Sequence, residues 1–227
     1  HGVKRPGGSA LNAGQVGALR AAQYITHAPT QQEYDASELT AQALVEMNRI
    51  LTTPDPAAQT PEEALDEIRT RMTRCGAHLR SRAAARTALD DALAQYKRIS
   101  TGGLTLTAPS QTRHSVAAAQ QCLTHIAMLK AICAMFDRGA GSRGSHCILD
   151  NDGVEMHQNL IDPQTEAPYR FKPENQALRD EILEITFNGD ADDLFDINVT
   201  PPRPTPKNDM AFEPAWGQYR RGEIYDE

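Results

Sequence analysis

The feature that most constrains this chain is a long stripe of apolar residues over about residues 111–138. Apolar side chains recur there at spacings of three and four, which is the period of one face of an α-helix. They are Val116, Ala119, Leu123, Ile126, Leu129, Ile132 and Phe136. Such a stripe is typical of a helix that packs against a protein core, and much less typical of a cofactor site. The segment therefore predicts a long core helix.

Two shorter helical patterns precede the stripe. One begins at Pro61, which suits the first turn of a helix, continues with Glu62 and Glu63, and extends to about His78. The other begins near Ser81 and extends to Ile99, and the sequence TGG at residues 101–103 ends it. Their apolar positions also recur at helical spacing: Leu65, Ile68 and Met72, then Ala85, Leu89, Leu93 and Tyr96. We therefore predict an antiparallel three-helix bundle over residues 61–140.

The N-terminal part has a different organisation. Residues 1–8 are rich in glycine, Ser9 is placed to cap a helix, and residues 10–25 have a helical pattern. Residues 28–60 are predicted to be a linker that contains one helix over residues 35–52. We therefore divide the chain at residues 1–27, 28–60, 61–140 and 141–227.

Residues 141–227 are predicted to form an extended, partly irregular tail. Residues 148–172 suggest a short hairpin. Residues 174–185 fit a short helix, while the sequence ILEITF within and beyond them fits a strand, and the pattern leaves both open. The rest has little core-forming pattern and is expected to lie over a larger body or a partner. The fold class predicted for the whole chain is mainly α.

Composition and charge exclude several classes of protein. The formal net charge is -7, which argues against a protein that binds duplex nucleic acid, because phosphate contacts need clustered lysine and arginine. The sequence contains no continuous run of about 18 apolar residues, so we expect no direct membrane span. The acidic run at residues 190–196 lacks the ligand spacing of a calcium loop and is expected to be a solvated surface.

The four cysteines give no framework for disulfides or zinc. Cys75, Cys122, Cys133 and Cys147 are spread over the chain without the CxxC spacing of metal sites. Cys122 and His125 lie three residues apart and share a predicted helix face, but a structural zinc site usually needs four ligands. We expect reduced thiols and no bound metal.

The segment that indicates chemistry is the N-terminal loop and the helix after it. Glycines in the loop allow the backbone to approach a flat ligand closely, and a helix that begins at Ser9 directs free N–H groups and a positive dipole end toward it. Arg5 in the loop has the planar fork that holds a carboxylate. The alternative interpretation is an ordinary junction between a loop and a helix.

This segment resembles the H-G-A-N-R-L-G-x-N-S-L motif of the succinate dehydrogenase/fumarate reductase flavoproteins. His1, Gly2, Arg5, Gly7 and Leu11 match it. The resemblance implies that Arg5 binds a dicarboxylate substrate. It also implies that Gly7, Gly8, Ser9, Ala10 and Leu11 lie against the flavin of FAD. The chain departs from the motif at Lys4, at Pro6 and at the Ser9–Ala10 pair.

Two further motifs of the same family follow in the expected order. The sequence GAHLR at residues 76–80 resembles the break between the first two helices of the family's C-terminal bundle. The sequence SRGSH at residues 142–146 resembles the Ser-Arg-Gly-Ala-His segment that follows the third helix. Arg143 and His146 are either anion-holding residues or a strut that ties the bundle to the flavin domain. With the N-terminal motif, the resemblance covers roughly residues 1–147.

The resemblance implies further domains of the same protein and a partner subunit, in addition to the residues of this chain. Residues 1–27 are expected to close an FAD-binding domain. The GxGxxG fingerprint, the capping domain and the proton-delivering arginine are expected upstream of it, so this chain alone is expected to be inactive. The family's respiratory members dock on an iron–sulfur subunit, which implies a cytoplasmic protein that reaches a membrane through its partner. The alternative is a non-catalytic helical module that docks on a partner chain.

Overall fold

The computed structural model describes residues 9–27, 35–50, 58–144, 146–163, 165–189, 194–202 and 212–223. Within these residues the chain is mainly helical and also contains short strands, as the sequence predicts for the fold class. Contacts between residues divide it into two units. One comprises residues 1–35 and 202–227, and the other comprises residues 36–201.

The first unit contains two helices, α1 (Ser9–His27) and α6 (Phe212–Arg221). Helix α1 begins at Ser9, as the sequence predicts. The guanidinium of Arg20 in α1 lies over the ring of Tyr219 in α6, with 5.6 Å between the guanidinium carbon and the ring centre. Cation–π contacts of this length tie two helices together weakly.

In the second unit, helix α2 (Ala36–Ile50) precedes α3 (Pro61–Arg71). Thr60 starts α3 with a reciprocal cap, because its hydroxyl accepts from the Glu63 N–H while the Glu63 carboxylate accepts from the Thr60 N–H. The α-helix ends at Arg71, several residues before the predicted end near His78. A wider π-helical turn over Met72–Gly76 replaces the last predicted turn.

Helix α4 (Arg82–Gly102) begins where the sequence predicts and ends three residues after the predicted end at Ile99. Ser81 caps its start by accepting a 3.3 Å hydrogen bond from the Ala84 N–H. At its end, Gly103 has a φ angle of 71°, a conformation that glycine adopts without the steric cost of a side chain. The glycines after α4 therefore stop the helix for a conformational reason.

Helix α5 (Thr112–Asp137) follows a short 3₁₀ turn and matches the predicted span of 111–138. Contacts at the helix ends show how α3, α4 and α5 run. His114 near the start of α5 lies 3.0 Å from Glu62 at the start of α3, so these two helices run the same way. Arg82 at the start of α4 lies 3.0 Å from Asp137 at the end of α5, so α4 runs the opposite way.

The core of this unit lies between α3, α4 and α5, and its chemistry is dominated by alanine and aliphatic side chains. The fully or almost fully buried members contributed by α5 are Ala118, Cys122, Ile126 and Leu129. The predicted stripe is correct in its second half. In its first half it is displaced, because Val116, Ala119 and Leu123 are only partly buried while Ser115, Cys122 and His125 lie inside.

The segment Pro109–Asp137 is long and apolar enough to cross a membrane by length and composition alone. The absence of a continuous apolar run had led us to expect no candidate. Here the helix is a core element, since Ile126 and Leu129 are buried among residues of α3 and α4. Core helices of globular proteins pass the same test of length and composition, so the finding is weak evidence for a membrane span.

Two small sheets complete the unit. In the first, strands β1 (Leu79–Arg80), β2 (Cys147–Glu155) and β3 (Arg170–Phe171) lie in the order β1-β2-β3. The pairing of β2 with β3 is antiparallel, in agreement with the predicted hairpin, and it is interrupted by an irregularity between Leu149 and Val154. The parallel pairing of β1 with β2 was not predicted, because a two-residue strand carries no periodic signal.

The second sheet consists of β4 (Ile182–Phe187) and β5 (Phe195–Thr200), paired antiparallel. The ILEITF sequence is thus a strand, which decides the alternative that the sequence leaves open. The prediction that the tail carries little core-forming pattern is wrong here. Leu194 and Phe195 are buried in the same core as Ile126 and Leu129. Their contribution was missed because two adjacent apolar residues have no periodicity to recognise.

Candidate functional site

The predicted substrate and flavin residues lie at the edge of what the structure describes. Arg5, Gly7 and Gly8 fall outside the described residues. Ser9, Ala10 and Leu11 are the first three residues of α1, where backbone N–H groups have no partner within the helix. The first turn of α1 contains no acidic residue that would offset its positive dipole end.

The two motif segments of the bundle are brought together, although 66 residues separate their first members. Leu79 pairs with Cys147 and Arg80 pairs with Ile148 in the parallel ladder of β1 and β2. The Cys147 N–H donates a 2.7 Å hydrogen bond to the carbonyl oxygen of His78. We call residues 76–80 and 142–148 together the motif junction.

Arg80 holds the first half of the motif junction in place. Its Nε donates to the carbonyl oxygen of Ala77 at 2.8 Å, and its Nη2 donates to that of Gly76 at 2.9 Å. These carbonyls follow the π-helical turn and lack partners within a regular helix. The guanidinium thus supplies the hydrogen bonds that a helix end leaves open. The side chain is half-buried, and burial lowers the pKa of Arg80.

The second half of the motif junction is a tight turn. The backbone groups of Arg143 and His146 pair with each other, and Gly144 between them has a φ angle of 64°. The hydroxyl of Ser142 accepts a 2.8 Å hydrogen bond from the Ile148 N–H. The Arg143 guanidinium forms a 3.2 Å ion pair with Glu174. Arg143 therefore ties this turn to the segment that contains Glu174.

His146 has an unusual position within the turn. Its Nε2 is buried, and no hydrogen-bond partner for this atom lies among the described residues. Burial lowers the pKa of His146, and the positive charge of Arg80 lowers it further. The imidazole is therefore held neutral beside a guanidinium.

A second polar cluster crosses the core between the three helices. Arg71 of α3 donates through Nη1 to the Gln95 side-chain oxygen of α4 at 2.7 Å, and the same nitrogen lies 3.1 Å from Nε2 of His125 in α5. Arg71 also forms an ion pair with Glu67. Gln95 in turn donates to the carbonyl oxygen of Ala64 at 3.0 Å. We call Glu67, Arg71, Gln95 and His125 the core polar network.

The hydrogen bonds and the pKa shifts in this network agree on which groups are charged. Nδ1 of His125 lies 3.1 Å from the Gln121 carbonyl oxygen, so it carries the proton and leaves Nε2 to accept from Arg71. Burial lowers the pKa of His125, and the charge of Arg71 adds to this. Burial raises the pKa of Glu67, but hydrogen bonds from Gln59 and Arg71 outweigh it, so the pKa is lowered overall. The network therefore contains charged Arg71 and Glu67 and neutral His125.

Sequence analysis considered His125 together with Cys122 as a zinc site and missed this network. His125 is 3% exposed, and its Nδ1 lies against the Gln121 carbonyl oxygen. His114, by contrast, is exposed and pairs with Glu62. One signal in the sequence could have revealed the network. Gln95 and His125 are polar residues on helix faces whose other residues are alanine, isoleucine and cysteine.

An open cleft of about 840 Å³ runs between α3 and α4 beside the network. The polar side chains that line it have mixed charge: Asp66, Glu67, Thr70, Arg71, Arg74, Thr87, Asp91 and Arg98. Nη2 of Arg98 lies 3.2 Å from Oε1 of Glu67, so these two side chains form an ion pair with each other. The cleft is lined by three acidic and three basic side chains, so its lining does not favour either an anion or a cation.

The cysteines are unpaired thiols in the structure. Burial raises the pKa of Cys122 to about 12, and burial also raises the pKa of Cys75 and of Cys133. Within the described part of the chain, no group of three or more histidine, cysteine or acidic residues is placed to hold a metal ion. Nε2 of His125 faces Arg71, whose positive charge disfavours a cation beside Cys122.

No known protein family matches the chain, and neither a curated protein nor a solved structure matches it.

Proposed function

We propose that this chain is the C-terminal portion of an FAD-dependent oxidoreductase of the succinate dehydrogenase/fumarate reductase type. The complete enzyme exchanges hydride between its flavin and a dicarboxylate or a related unsaturated acid. Residues 1–27 close the FAD-binding domain, α3, α4 and α5 form the family's antiparallel three-helix bundle, and the tail follows. The chain alone is inactive, because most of the FAD site and the proton-delivering arginine belong to upstream sequence.

The observation that carries the proposal is the pairing within the motif junction. Three motifs were matched from sequence, and two of them are far apart in the chain. Leu79 and Arg80 of the first nevertheless pair directly with Cys147 and Ile148 after the second. An accidental match of two short motifs gives no reason for the segments to meet. Their meeting supports the view that they belong to one structural unit.

The roles of the N-terminal residues follow from their chemistry. When FAD is bound it supplies the hydride-transfer chemistry of the enzyme. The guanidinium of Arg5 holds a substrate carboxylate by two parallel hydrogen bonds and favours negative charge that develops on the substrate. Gly7 and Gly8 let the backbone approach the ring, and the free N–H groups of Ser9–Leu11 donate toward its electron-rich edge.

The partners implied by this proposal are the upstream FAD-binding and capping domains and an iron–sulfur subunit. The location is the cytoplasm, with membrane association only through that subunit. A net charge of -7 and the absence of clustered basic residues favour no role in nucleic-acid binding.

The second candidate function is a non-catalytic interaction module. It is favoured by apolar side chains that α1 and α2 leave exposed, among them Ile25, which is 74% exposed, and Val45, which is 66% exposed. Exposed apolar side chains are found on surfaces that bind another protein or domain. The same exposure is expected of an enzyme fragment that lacks its first domain, so it does not separate the two candidates.

The coding sequence upstream of His1 separates them. An upstream strand, GxGxxG turn and helix would place the chain in a flavoprotein. The protein expressed with that sequence should then contain stoichiometric FAD and reduce fumarate or a related unsaturated acid when supplied with a reduced dye. A purified protein with intact α-helical structure, no flavin and no such activity would leave the interaction module as the function.

A further inference from the structure

Among the residues that the structure describes, strands β4 and β5 form a two-stranded sheet, which has two edges. A two-stranded hairpin is marginally stable by itself, and sheets usually need three or more strands or a covering element. This hairpin contacts the core through Phe195 and through the partly buried Ile185 in the middle of β4. The remainder extends along the surface of the unit.

One face of the hairpin is entirely apolar. Its cross-strand pairs are Leu183 with Val199, Ile185 with Ile197, and Phe187 with Phe195. Much of this face is exposed: Phe187 is 55% exposed and Val199 is 40% exposed. The opposite face carries the polar pairs Glu184 with Asn198 and Thr186 with Asp196. The core beneath the hairpin therefore covers only part of this apolar face.

The hydrogen-bond pattern identifies which backbone groups point away from the hairpin. The Asn188 N–H donates a 3.0 Å hydrogen bond to the Leu194 carbonyl oxygen, which makes these residues a directly bonded pair. In an antiparallel ladder, bonded and non-bonded pairs alternate. Leu183, Ile185 and Phe187 are therefore in non-bonded pairs, and their N–H and C=O groups point outward from β4. None of these groups has a further hydrogen-bond partner in the described part of the chain.

The outer edge of β5 is different. The outward carbonyl oxygen of Phe195 accepts a hydrogen bond from Nζ of Lys130 in α5. This contact agrees with the alternation derived from Asn188, and it occupies part of the β5 edge. The β4 edge has no such cover among the described residues, and it carries neither the lysine nor the proline that commonly protects an exposed edge.

We propose that β4 is an interaction surface for a second copy of this chain. The two β4 strands pair antiparallel about a two-fold axis at Ile185, which joins two hairpins into a four-stranded sheet. This proposal concerns the hairpin alone and is independent of the proposed oxidoreductase function.

The register about Ile185 is self-complementary. It places Leu183 opposite Phe187 of the second copy on the apolar face, and Ile185 opposite its own equivalent. On the polar face it places Glu184 opposite Thr186 of the second copy, so no like charges meet. All three outward residues of β4 gain hydrogen-bond partners. A foreign strand gains the same backbone bonds, but it does not bring this side-chain match.

Sedimentation velocity of the 227-residue chain tests the proposal. The 24.9 kDa monomer is expected to be in equilibrium with a dimer of twice that mass, with the dimer fraction rising up to about 100 µM protein. A chain that remains monomeric over this range contradicts the proposal. This holds even if a strand of another protein binds the β4 edge.

Two matched variants locate the contact. Phe187→Pro removes an outward N–H, and proline is tolerated on edge strands where that group faces away from the sheet. Phe187→Ala makes a similar truncation and keeps the N–H. The proline variant should be monomeric, while the alanine variant should still dimerise, about tenfold more weakly. Equal dimerisation of the two variants, each with an unchanged circular dichroism spectrum, places the contact elsewhere and overturns the proposal.

A charge exchange tests the register. Thr186→Glu sets a glutamate opposite Glu184 of the second copy twice in each dimer and should weaken dimerisation about five- to tenfold. Adding Glu184→Lys to that variant restores opposite charges and should recover the loss. Both variants keep residue 186 opposite Asp196 inside the hairpin. Equal free energies of unfolding for the two variants at concentrations where the chain is monomeric then assign the recovery to the contact between copies. Failure to recover rejects the two-fold register at Ile185.

Discussion

Nη1 of Arg71 lies 3.1 Å from Nε2 of His125, and the two side chains connect α3 to α5 through the middle of the core. His125 is almost completely buried, and Arg71 is also bonded to Gln95 of α4. A buried guanidinium needs such partners, because an unpaired charge in a core costs several kcal/mol. The relative positions of the three helices are therefore fixed by a polar contact as well as by apolar packing.

The first prediction is that protonation of His125 opposes folding. Burial lowers the pKa of His125 in the folded protein below its ordinary value of 6.5. As the pH falls below 6.5, the unfolded chain takes up a proton at His125 that the folded chain does not. The free energy of unfolding therefore decreases from that pH downward until the folded pKa is reached, by at most about 1.4 kcal/mol per pH unit.

The His125→Gln variant provides the measurement. Glutamine keeps an acceptor for Arg71 and a donor for the Gln121 carbonyl but does not titrate. Denaturant unfolding of the wild type and the variant at several values of pH gives a difference in free energy that should change only below about 6.5. A difference that is constant with pH shows that His125 does not titrate differently in the two states. His146 has a lowered pKa as well, and its contribution cancels in this difference.

The second prediction concerns the face of α5. Ile126 is fully buried, so Ile126→Ala should cost about 2–4 kcal/mol of stability. Leu123 is only partly buried, and Leu123→Ala should cost about half as much. Met128, which is 49% exposed, provides a control on the same helix, and its alanine variant should change stability by less than about 0.5 kcal/mol. Equal losses at all three positions would show that another face is buried.

Most helices of this fold were predicted from local sequence, whereas elements that depend on distant residues were missed. The spans of α4 and α5 were predicted closely, because apolar periodicity, a serine cap and the glycines after α4 all act within a few residues. The strand β1 and the burial of Leu194 and Phe195 were missed, since each depends on a partner far away in the chain. Periodicity reports a helix face only to within one residue position, which is why the first half of the α5 stripe was displaced.

In the candidate site, too, features of the local sequence were recognised, whereas contacts between distant residues were not. The two bundle motifs were matched from local sequence alone, but their pairing through Leu79 and Cys147 is a property of the fold. The core polar network was missed because Arg71, Gln95 and His125 become informative only when three helices bring them together. The interpretation of Arg5 depends on a resemblance, and this residue lies outside those that the structure describes.

The third prediction concerns Gly141, which lies just before the SRGSH turn. A methyl group added at this position would be 1.7 Å from the carbonyl oxygen of Pro173 and 2.9 Å from Cα of Glu174, and neither backbone atom can rotate away. Gly141→Ala should therefore destabilise the unit by at least about 1–3 kcal/mol. Gly102→Ala is the matched control, since no atom lies within 4 Å of the added group. The control should leave stability unchanged or raise it slightly, and similar melting shifts for both variants would contradict the close packing at Gly141.

The last prediction concerns Arg5 in the complete flavoprotein, and it rests on the proposed function. Arg5→Ala should abolish turnover while bound FAD remains nearly unchanged. Flavin contact is expected from backbone N–H groups at Ser9–Leu11, which the substitution keeps, whereas substrate contact is expected from the guanidinium that it removes. Loss of a charge-assisted bidentate pair in a water-poor site should cost about 2–5 kcal/mol, on the order of 30- to several thousand-fold in kcat/KM.

Two measurements on one preparation, flavin occupancy and activity per bound flavin, distinguish this role from a structural one. If Arg5 only braces the glycine loop, Arg5→Ala should lose FAD and stability together, and the molecules that still hold FAD should keep their specific activity. Arg5→Lys provides the matched control for charge. An ammonium group cannot reproduce the planar fork, so lysine should recover only a fraction of the lost kcat/KM. Full recovery by lysine would mean that charge alone is required, and unchanged activity per flavin in Arg5→Ala would remove Arg5 from the substrate site.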